Sequence, residues 1–123
     1  MIYKEIELVG TKGRIKKLAL FDTGSTYSLI RKDIAENVET LLKLTKPIEM
    51  QTAKEKEVIT ATHRVAIDFY INGYRFDDLF IVVENLTEEV IIGLGTLQKW
   101  HMKLDIENKE VIIDPRATRI IVI

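Results

Sequence analysis

Cysteine is absent from the 123 residues, and the chain holds only two prolines, six glycines, two histidines and one tryptophan. Without cysteine there is no disulfide scaffold, thiolate nucleophile, redox pair or cysteine-rich zinc site, and two histidines are too few to build a His-based metal centre within one chain. No metal or other cofactor is expected. Charge of one sign is lacking as well. The 18 Lys and Arg stand against 19 Asp and Glu, a formal net charge of −1, so no basic field draws in nucleic acid or an anionic membrane. No apolar run approaches the roughly 20 residues that span a bilayer. At the start, Met1-Ile2-Tyr3-Lys4-Glu5-Ile6-Glu7 alternates apolar and charged residues, where a secretory leader would be continuously apolar. The expectation is a cytoplasmic protein with neither nucleic-acid nor membrane partners. What the chain does have is 46% hydrophobic residues, enough at this size for a core without staples. Its Pro and Gly are dispersed and mark no linker, so residues 1–123 read as a single domain.

The recurring signal is the period of a β-strand. Ile2, Lys4, Ile6 and Leu8 alternate with Tyr3, Glu5 and Glu7, and Gly10-Thr11-Lys12-Gly13 turns this run into a second, Ile15 to Phe21, which delivers Asp22 at its end. Tyr27-Ser28-Leu29-Ile30 is short and apolar. From Lys32 to Leu44 the apolar positions Ile34, Ala35, Val38, Leu41 and Leu42 predict a helix, ended by Pro47. Ile48 to Thr52 and Val58 to Thr62 flank Lys54-Glu55-Lys56-Glu57, the pattern of a hairpin with a solvated tip. Val65 to Ile71 and Tyr74 to Val83 meet at Asn72-Gly73, a strong hairpin signal because both residues tolerate positive φ. Glu89 to Gly93 reads as a buried strand, Leu94 to Trp100 as a short helix, and Lys103 to Ile113 as a fourth hairpin turning at Glu107-Asn108-Lys109. The chain closes on Arg119-Ile120-Ile121-Val122-Ile123. An exposed aliphatic strand of that kind invites aggregation, so it is expected to pair, with a second copy of the chain as the natural partner. The fold class is all-β, with one or two short helices.

The candidate chemistry lies in Leu18-Ala19-Leu20-Phe21-Asp22-Thr23-Gly24-Ser25. An acid directly after an apolar strand is either a turn residue accepting backbone N–H bonds or a carboxylate held in a partly desolvated place. The fragment alone favours the turn reading, because Asp, Thr, Gly and Ser are all common turn formers. Other candidates are weaker. His63 and His101 lack a second His or Cys at ligand spacing. Asp77-Asp78 and Glu88-Glu89 are adjacent pairs that point to opposite faces of a strand, and they read as solvated loop charges. Gly10-Thr11-Lys12-Gly13 and Gly93-Leu94-Gly95 lack the spacing of phosphate and dinucleotide loops. Phe80 and Trp100 read as core.

Taken with the rest of the chain, Asp22-Thr23-Gly24-Ser25 resembles the active-site loop of aspartic proteases. Val90-Ile91-Ile92-Gly93 with Leu97 resembles their second signature, an apolar pair and Gly before a short helix. The resemblance is to the retropepsin-like family, in its bacterial, archaeal and retrotransposon branch, and it covers nearly the whole sequence. It implies a small closed barrel-like fold with a short helix after each signature. It also implies an aspartic endopeptidase acting on peptides or unfolded protein.

Such chemistry needs one carboxylate to take a proton from water and one carboxylic acid to polarise the scissile carbonyl. One Asp cannot be both. With a single Asp-Thr-Gly per chain, the resemblance implies a homodimer in which Asp22 faces its partner's Asp22 across a two-fold axis, sharing one proton. It gives Thr23 a hydrogen bond across that axis and brings the Gly24 backbone close to the carboxylates. Ser25 is expected to donate to the ionised form. By the same resemblance the dimer joins through the terminal strands, Met1 to Leu8 and Arg119 to Ile123, and through the Asp22-Thr23-Gly24 loop. The hairpin bearing Thr52, Ala53, Lys54 and Glu55 corresponds to a flap that closes over the peptide, while Leu29 and Ile92 are expected to line the cleft, with Ile91, Ile92 and Gly93 forming the second signature. The flap tip carries no Gly, and Gly93 is followed by Leu94-Gly95 rather than the Arg of the viral branch. A glycine-free flap is the feature that favours the alternative, a dimeric peptide-binding or scaffold module of the same fold that does not cut.

Overall fold

The computed structural model describes residues 1–51, 57–119 and 121–122. Strands β1 (Ile2–Val9) and β2 (Arg14–Phe21) form the first hairpin in the expected register, Ile2 opposite Phe21 and Val9 opposite Arg14. Ile2, Ile6 and Leu8 point into the core and Tyr3 and Glu5 outward, as the alternation requires. After β2 come β3 (Leu29–Arg31), α1 (Lys32–Val38), β4 (Leu42–Gln51), β5 (Val58–Ile71), β6 (Tyr74–Val83), β7 (Val90–Ile92), α2 (Leu94–Lys99), β8 (Lys103–Asp105) and β9 (Glu110–Ile112).

Six strands run β1-β2-β7-β3-β6-β5, and β5 returns to β1 through Glu7–Tyr70, Leu8–Phe69 and Val9–Asp68, closing a barrel. β4 hangs on the outer edge of β5. Closure removes the edges of the ring and leaves one inner face to be filled. Phe69 stacks on Phe76 and meets Phe80 edge-on, with ring centroids 5.5 and 5.9 Å apart, and Trp100 adds an edge contact to Phe76. The β5–β6 turn is the one that Asn72-Gly73 predicts, with φ of 50° and 82° at the two residues.

Three expectations are corrected. The helix predicted over Lys32 to Leu44 ends at Val38, and Leu42 opens a strand with its side chain exposed. The first hairpin turn stops it. Lys12 N–H donates to the Val38 carbonyl at 3.0 Å, Thr11 hydrogen-bonds Glu39 through both its amide and its hydroxyl, and a Cβ on Gly10 would lie 2.2 Å from the Val38 carbonyl oxygen. Pro47 terminates no helix. It sits within β4, in the stretch between Lys43 and Ile48 where the pairing with β5 shifts register, a place that tolerates its missing N–H. Asp77 and Asp78 lie on β6, not in a loop.

Beyond β9, Pro115–Thr118 forms a 3₁₀ turn that the sequence reading did not contain, capped by Asp114, which accepts from Arg116 N–H at 3.0 Å. Ile121 and Val122 belong to no strand of the protomer and are 83% and 89% exposed. Ile120 and Ile123 lie outside the described residues. Among the described residues no helix is long and apolar enough to cross a membrane.

Candidate active site

Asp22 is placed by the last rung of a parallel ladder. Phe21 of β2 pairs with Ile92 of β7, and Asp22 N–H continues that pairing by donating to the Ile92 carbonyl at 2.9 Å. The chain then turns sharply, with Ser25 N–H donating to the Asp22 carbonyl at 3.2 Å. Within the turn Asp22 Oδ1 accepts from Gly24 N–H at 2.8 Å. This fixes the carboxylate plane and leaves Oδ2 without a hydrogen bond among the described residues. Gly24 sits close enough that a Cβ there would be 3.1 Å from Oδ1. Asp22 is half-buried, whereas Thr23 and Gly24 are exposed, so the loop presents its tip to whatever stands before it.

The second signature clasps this loop from below. Leu94 N–H donates to the Ser25 carbonyl at 2.7 Å and Gly95 N–H to the Thr26 carbonyl at 3.3 Å. Gly93 N–H donates to Ser28 Oγ at 2.9 Å. Ser28 Oγ is in turn hydrogen-bonded to Thr96 Oγ1, and both side chains are buried. Two hydroxyls in an apolar interior survive because each has a partner. The sequence reading did not assign this pair a role. Its signal was a Ser next to an apolar strand and a Thr inside an apolar helix, small polar residues that a core admits only when something needs them.

The hydroxyl of Ser25 goes elsewhere than expected. It donates to the Tyr27 carbonyl at 2.7 Å, and the bond to the Asp22 carboxylate comes instead from the Gly24 amide.

The adjoining apolar residues sort by face. Leu29 pairs with Ile91 on one side and Ile81 on the other, and Ile91 pairs with Leu20, which puts four aliphatic side chains in one row across β2, β7, β3 and β6. This row lies on the outer face of the sheet, with Leu20 and Ile91 two residues before Asp22 and Gly93. Ile92 does not belong to it. It is 0% exposed and part of the core, whereas Ile91 is 9% exposed on the face shared with Leu29. Of the two isoleucines it is thus Ile91, with Leu20 and Ile81, and not Ile92, that shares the face of Leu29. Thr52, Ala53, Lys54 and Glu55 lie outside the described residues; the strands that lead to them are paired as far as Gln51 and Val58.

The remaining candidates are tied into the scaffold. Glu88 accepts from Tyr3 Oη at 2.7 Å, which raises the phenol above its ordinary value, and Glu89 pairs with Lys17 at 3.0 Å. Asp77 pairs with Lys99 at 3.4 Å, and its carbonyl accepts from Trp100 Nε1 at 2.9 Å. His63 Nδ1 lies 2.9 Å from Thr62 Oγ1 on β5, and His101 follows α2 with a φ of 55°. Among the described residues no group of three His, Cys, Asp or Glu is placed to hold a metal ion.

Comparison with known proteins matches the chain to a family model and to solved structures. Residues 12–119 match the family model described as retroviral aspartyl protease. The retroviral protease-like domain of Ddi1 from Leishmania major superposes with a TM-score of 0.66 at 20% identity, over 94% of this chain and 90% of that one. A solution structure of the protease of simian foamy virus (mac) aligns over 78% of this chain and 91% of that one, at 14% identity and a TM-score of 0.47.

Proposed function

The chain belongs to the retroviral aspartyl protease family, and from that premise we propose that residues 1–123 form a single aspartic endopeptidase domain. It hydrolyses peptide bonds with a pair of Asp22 carboxyl groups, one from each subunit of a homodimer. The observation that carries this reading is the setting of Asp22. Its backbone is pinned to β7, one carboxylate oxygen is held by the Gly24 amide and the other has no hydrogen bond among the described residues, on a loop whose tip is exposed. A turn-forming aspartate needs only the first oxygen; the second is what a reacting water requires.

In the proposed dimer the two carboxyl groups share one proton, because like charges about 3 Å apart do not both ionise. The ionised Asp22 takes a proton from a water, whose oxygen attacks the scissile carbonyl carbon. The protonated partner donates to the carbonyl oxygen, giving a neutral tetrahedral diol. The Asp22 that took the water's proton returns it to the amide nitrogen while the partner carboxylate takes a proton from a diol hydroxyl, so the C–N bond breaks, an amine and a carboxylic acid are released and the pair again holds one proton. Thr23, exposed in the protomer, bonds across the two-fold axis. The substrate peptide lies as an added strand beneath the β4–β5 hairpin, its aliphatic side chains against Leu29 and Ile91.

Cleavage of an unfolded protein and a mixed peptide pool, scanned from about pH 3.5 to 7.5 to bracket a carboxyl pair, tests the reading. The expected result is cleavage by the wild-type chain, blocked by a statine-type inhibitor and abolished in Asp22→Asn while the dimer persists. A folded dimer that binds peptides and cuts none at any pH would show a binding module.

A further inference from the structure

The aliphatic row Leu20–Ile91–Leu29–Ile81 continues at both ends. Leu20 pairs with Tyr3 of β1, and Ile81 pairs with Arg64 of β5, which pairs in turn with Leu42 of β4. Directly paired residues share a face of the sheet, so one file runs from Tyr3 to Leu42 across all seven strands. Its aliphatic centre is almost closed to solvent, whereas Arg64 is exposed and is the only charged member. The two ends differ in sign, because Tyr3 Oη donates to the Glu88 carboxylate.

Four other arginines are committed to carboxylates. Arg14 pairs with Glu7, Arg31 with Asp33, Arg75 with Asp68 and Arg116 with Asp114, whereas Arg64 makes no ion pair among the described residues. Its surroundings supply no acid either. Across the strands it meets Ile81 and Leu42, and its same-face neighbours along β5 are Thr62 and Ala66. An arginine in such a place can rest its stem on apolar surface and keep a planar, five-donor head for a carboxylate brought from outside.

We infer that Arg64 is a specificity-determining residue, which binds an Asp or Glu side chain of a peptide whose aliphatic side chains lie against Leu29 and Ile91. This recognition rests on the paired-Asp22 endopeptidase reading and gives that site a substrate class, aliphatic at the cut and acidic to the side of it. Arg64 stands two strands beyond Leu29 and three beyond Ile91, about 10 to 14 Å at roughly 4.8 Å per strand. An extended peptide advances about 3.3 Å per residue and turns alternate side chains to one face, so the acid belongs two or four residues from the aliphatic side chain. In a homodimer each copy supplies an Arg64, and the preference applies on both sides of the scissile bond.

Peptides with Leu-Leu at the centre and Glu, Gln or Lys two or four residues away decide it, near pH 6 where the Glu is ionised. Their kcat/KM is compared for wild type, Arg64→Gln, Arg64→Lys, Arg64→Glu and, as a control at the opposite end of β2, Arg14→Gln. Wild type should prefer Glu over Gln about fivefold at low salt, the strength of a good exposed ion pair, and less at high salt. Arg64→Gln should lose the preference while cutting the Gln peptide as well as wild type does, a readout that a merely structural defect would lower. Arg64→Lys should keep part of the preference, Arg64→Glu should favour the Lys peptide, and Arg14→Gln should behave as wild type. Arg64 is exposed, so circular dichroism should report a native fold; were Arg64→Gln misfolded, the reversal in Arg64→Glu decides. A wild type indifferent to Glu, or a preference that survives in folded Arg64→Gln, would overturn the assignment. The same peptides, labelled with fluorescein, are also bound to Asp22→Asn with and without Arg64→Gln, which keeps the two questions apart. Binding that favours Glu through Arg64 while wild type cuts nothing would leave the assignment standing and remove the catalytic reading. Cleavage without a Glu preference would do the reverse, and peptides neither bound nor cut would remove both.

Discussion

Gly93 lies directly against the backbone of Tyr27, so close that a Cβ on Gly93 would stand 2.4 Å from the Tyr27 carbonyl oxygen and 2.6 Å from its carbonyl carbon. Both are main-chain atoms at the foot of the Asp22 turn and cannot swing aside as a flexible side chain would. Gly93→Ala is therefore expected to push β7 away from the loop, at about 1–3 kcal/mol, the usual cost of forcing extra volume into a packed place. Urea titration measures the loss. Peptide cleavage should fall much further than stability does, since the displaced strand is the one that pins Asp22 N–H. A variant with wild-type cleavage would show the approach to be relaxed in solution.

How much of this was legible beforehand depends on where the determinant sits. The Asn72-Gly73 turn is a local pattern, readable because turn chemistry depends on the residues within the turn, whereas the Asp22–Ser25 loop and the Gly93 signature were legible only through their resemblance to a family's motifs. The end of α1 was not readable, because Gly10 and Thr11, distant in sequence, dictate it. Nor was the face of Ile92. Val90-Ile91-Ile92 is apolar throughout, so alternation carries no information about which side faces the core. The Ser28–Thr96 bond joins residues 68 apart, and the Leu20–Ile91–Leu29–Ile81 row exists only through strand register.

Ser28 accepts from Gly93 N–H and bonds Thr96, so removing its hydroxyl strands two buried groups at once. Ser28→Ala should cost about 1–3 kcal/mol, the penalty of an unsatisfied buried donor. Thr96→Val should cost less, because Ser28 Oγ still accepts from Gly93. In the double variant the two losses should fall short of their sum, since Thr96 has already lost its partner. Chemical denaturation of the three proteins reads this coupling, and strict additivity would mean that the hydroxyls do not interact.

The contact of Glu39 with the first hairpin turn is sensitive to acid. The Thr11 hydroxyl, then the Thr40 and Thr11 amides, hold the Glu39 carboxyl below its ordinary value of 4.5. A carboxyl depressed in the folded state binds fewer protons there than in the unfolded one. Its stabilisation is therefore full above 4.5 and is lost as pH falls through the lower folded value. Thermal unfolding between about pH 6 and pH 3 should show the wild type losing more stability on acidification than Glu39→Gln, with the two converging at the acid end. Parallel curves would mean that the Thr11 contact is not formed in solution. The difference bears on any acidic working range, because this clasp is what halts α1 and starts β4.

Neighbouring isoleucines on β7 should separate fold from specificity. Ile92 is wholly in the core, so Ile92→Val deletes a buried methylene at about 0.5–1.5 kcal/mol. It should leave the ranking of cleaved peptides as it was. Ile91 faces the row it shares with Leu29, so Ile91→Val should cost less stability and change which aliphatic side chains are preferred, by up to about tenfold in kcat/KM for one methylene. Profiling both variants against one peptide pool distinguishes the roles. Were Ile92→Val to shift the preference and Ile91→Val to leave it untouched, the substrate would lie against a different face of β7 from the one that carries Leu29.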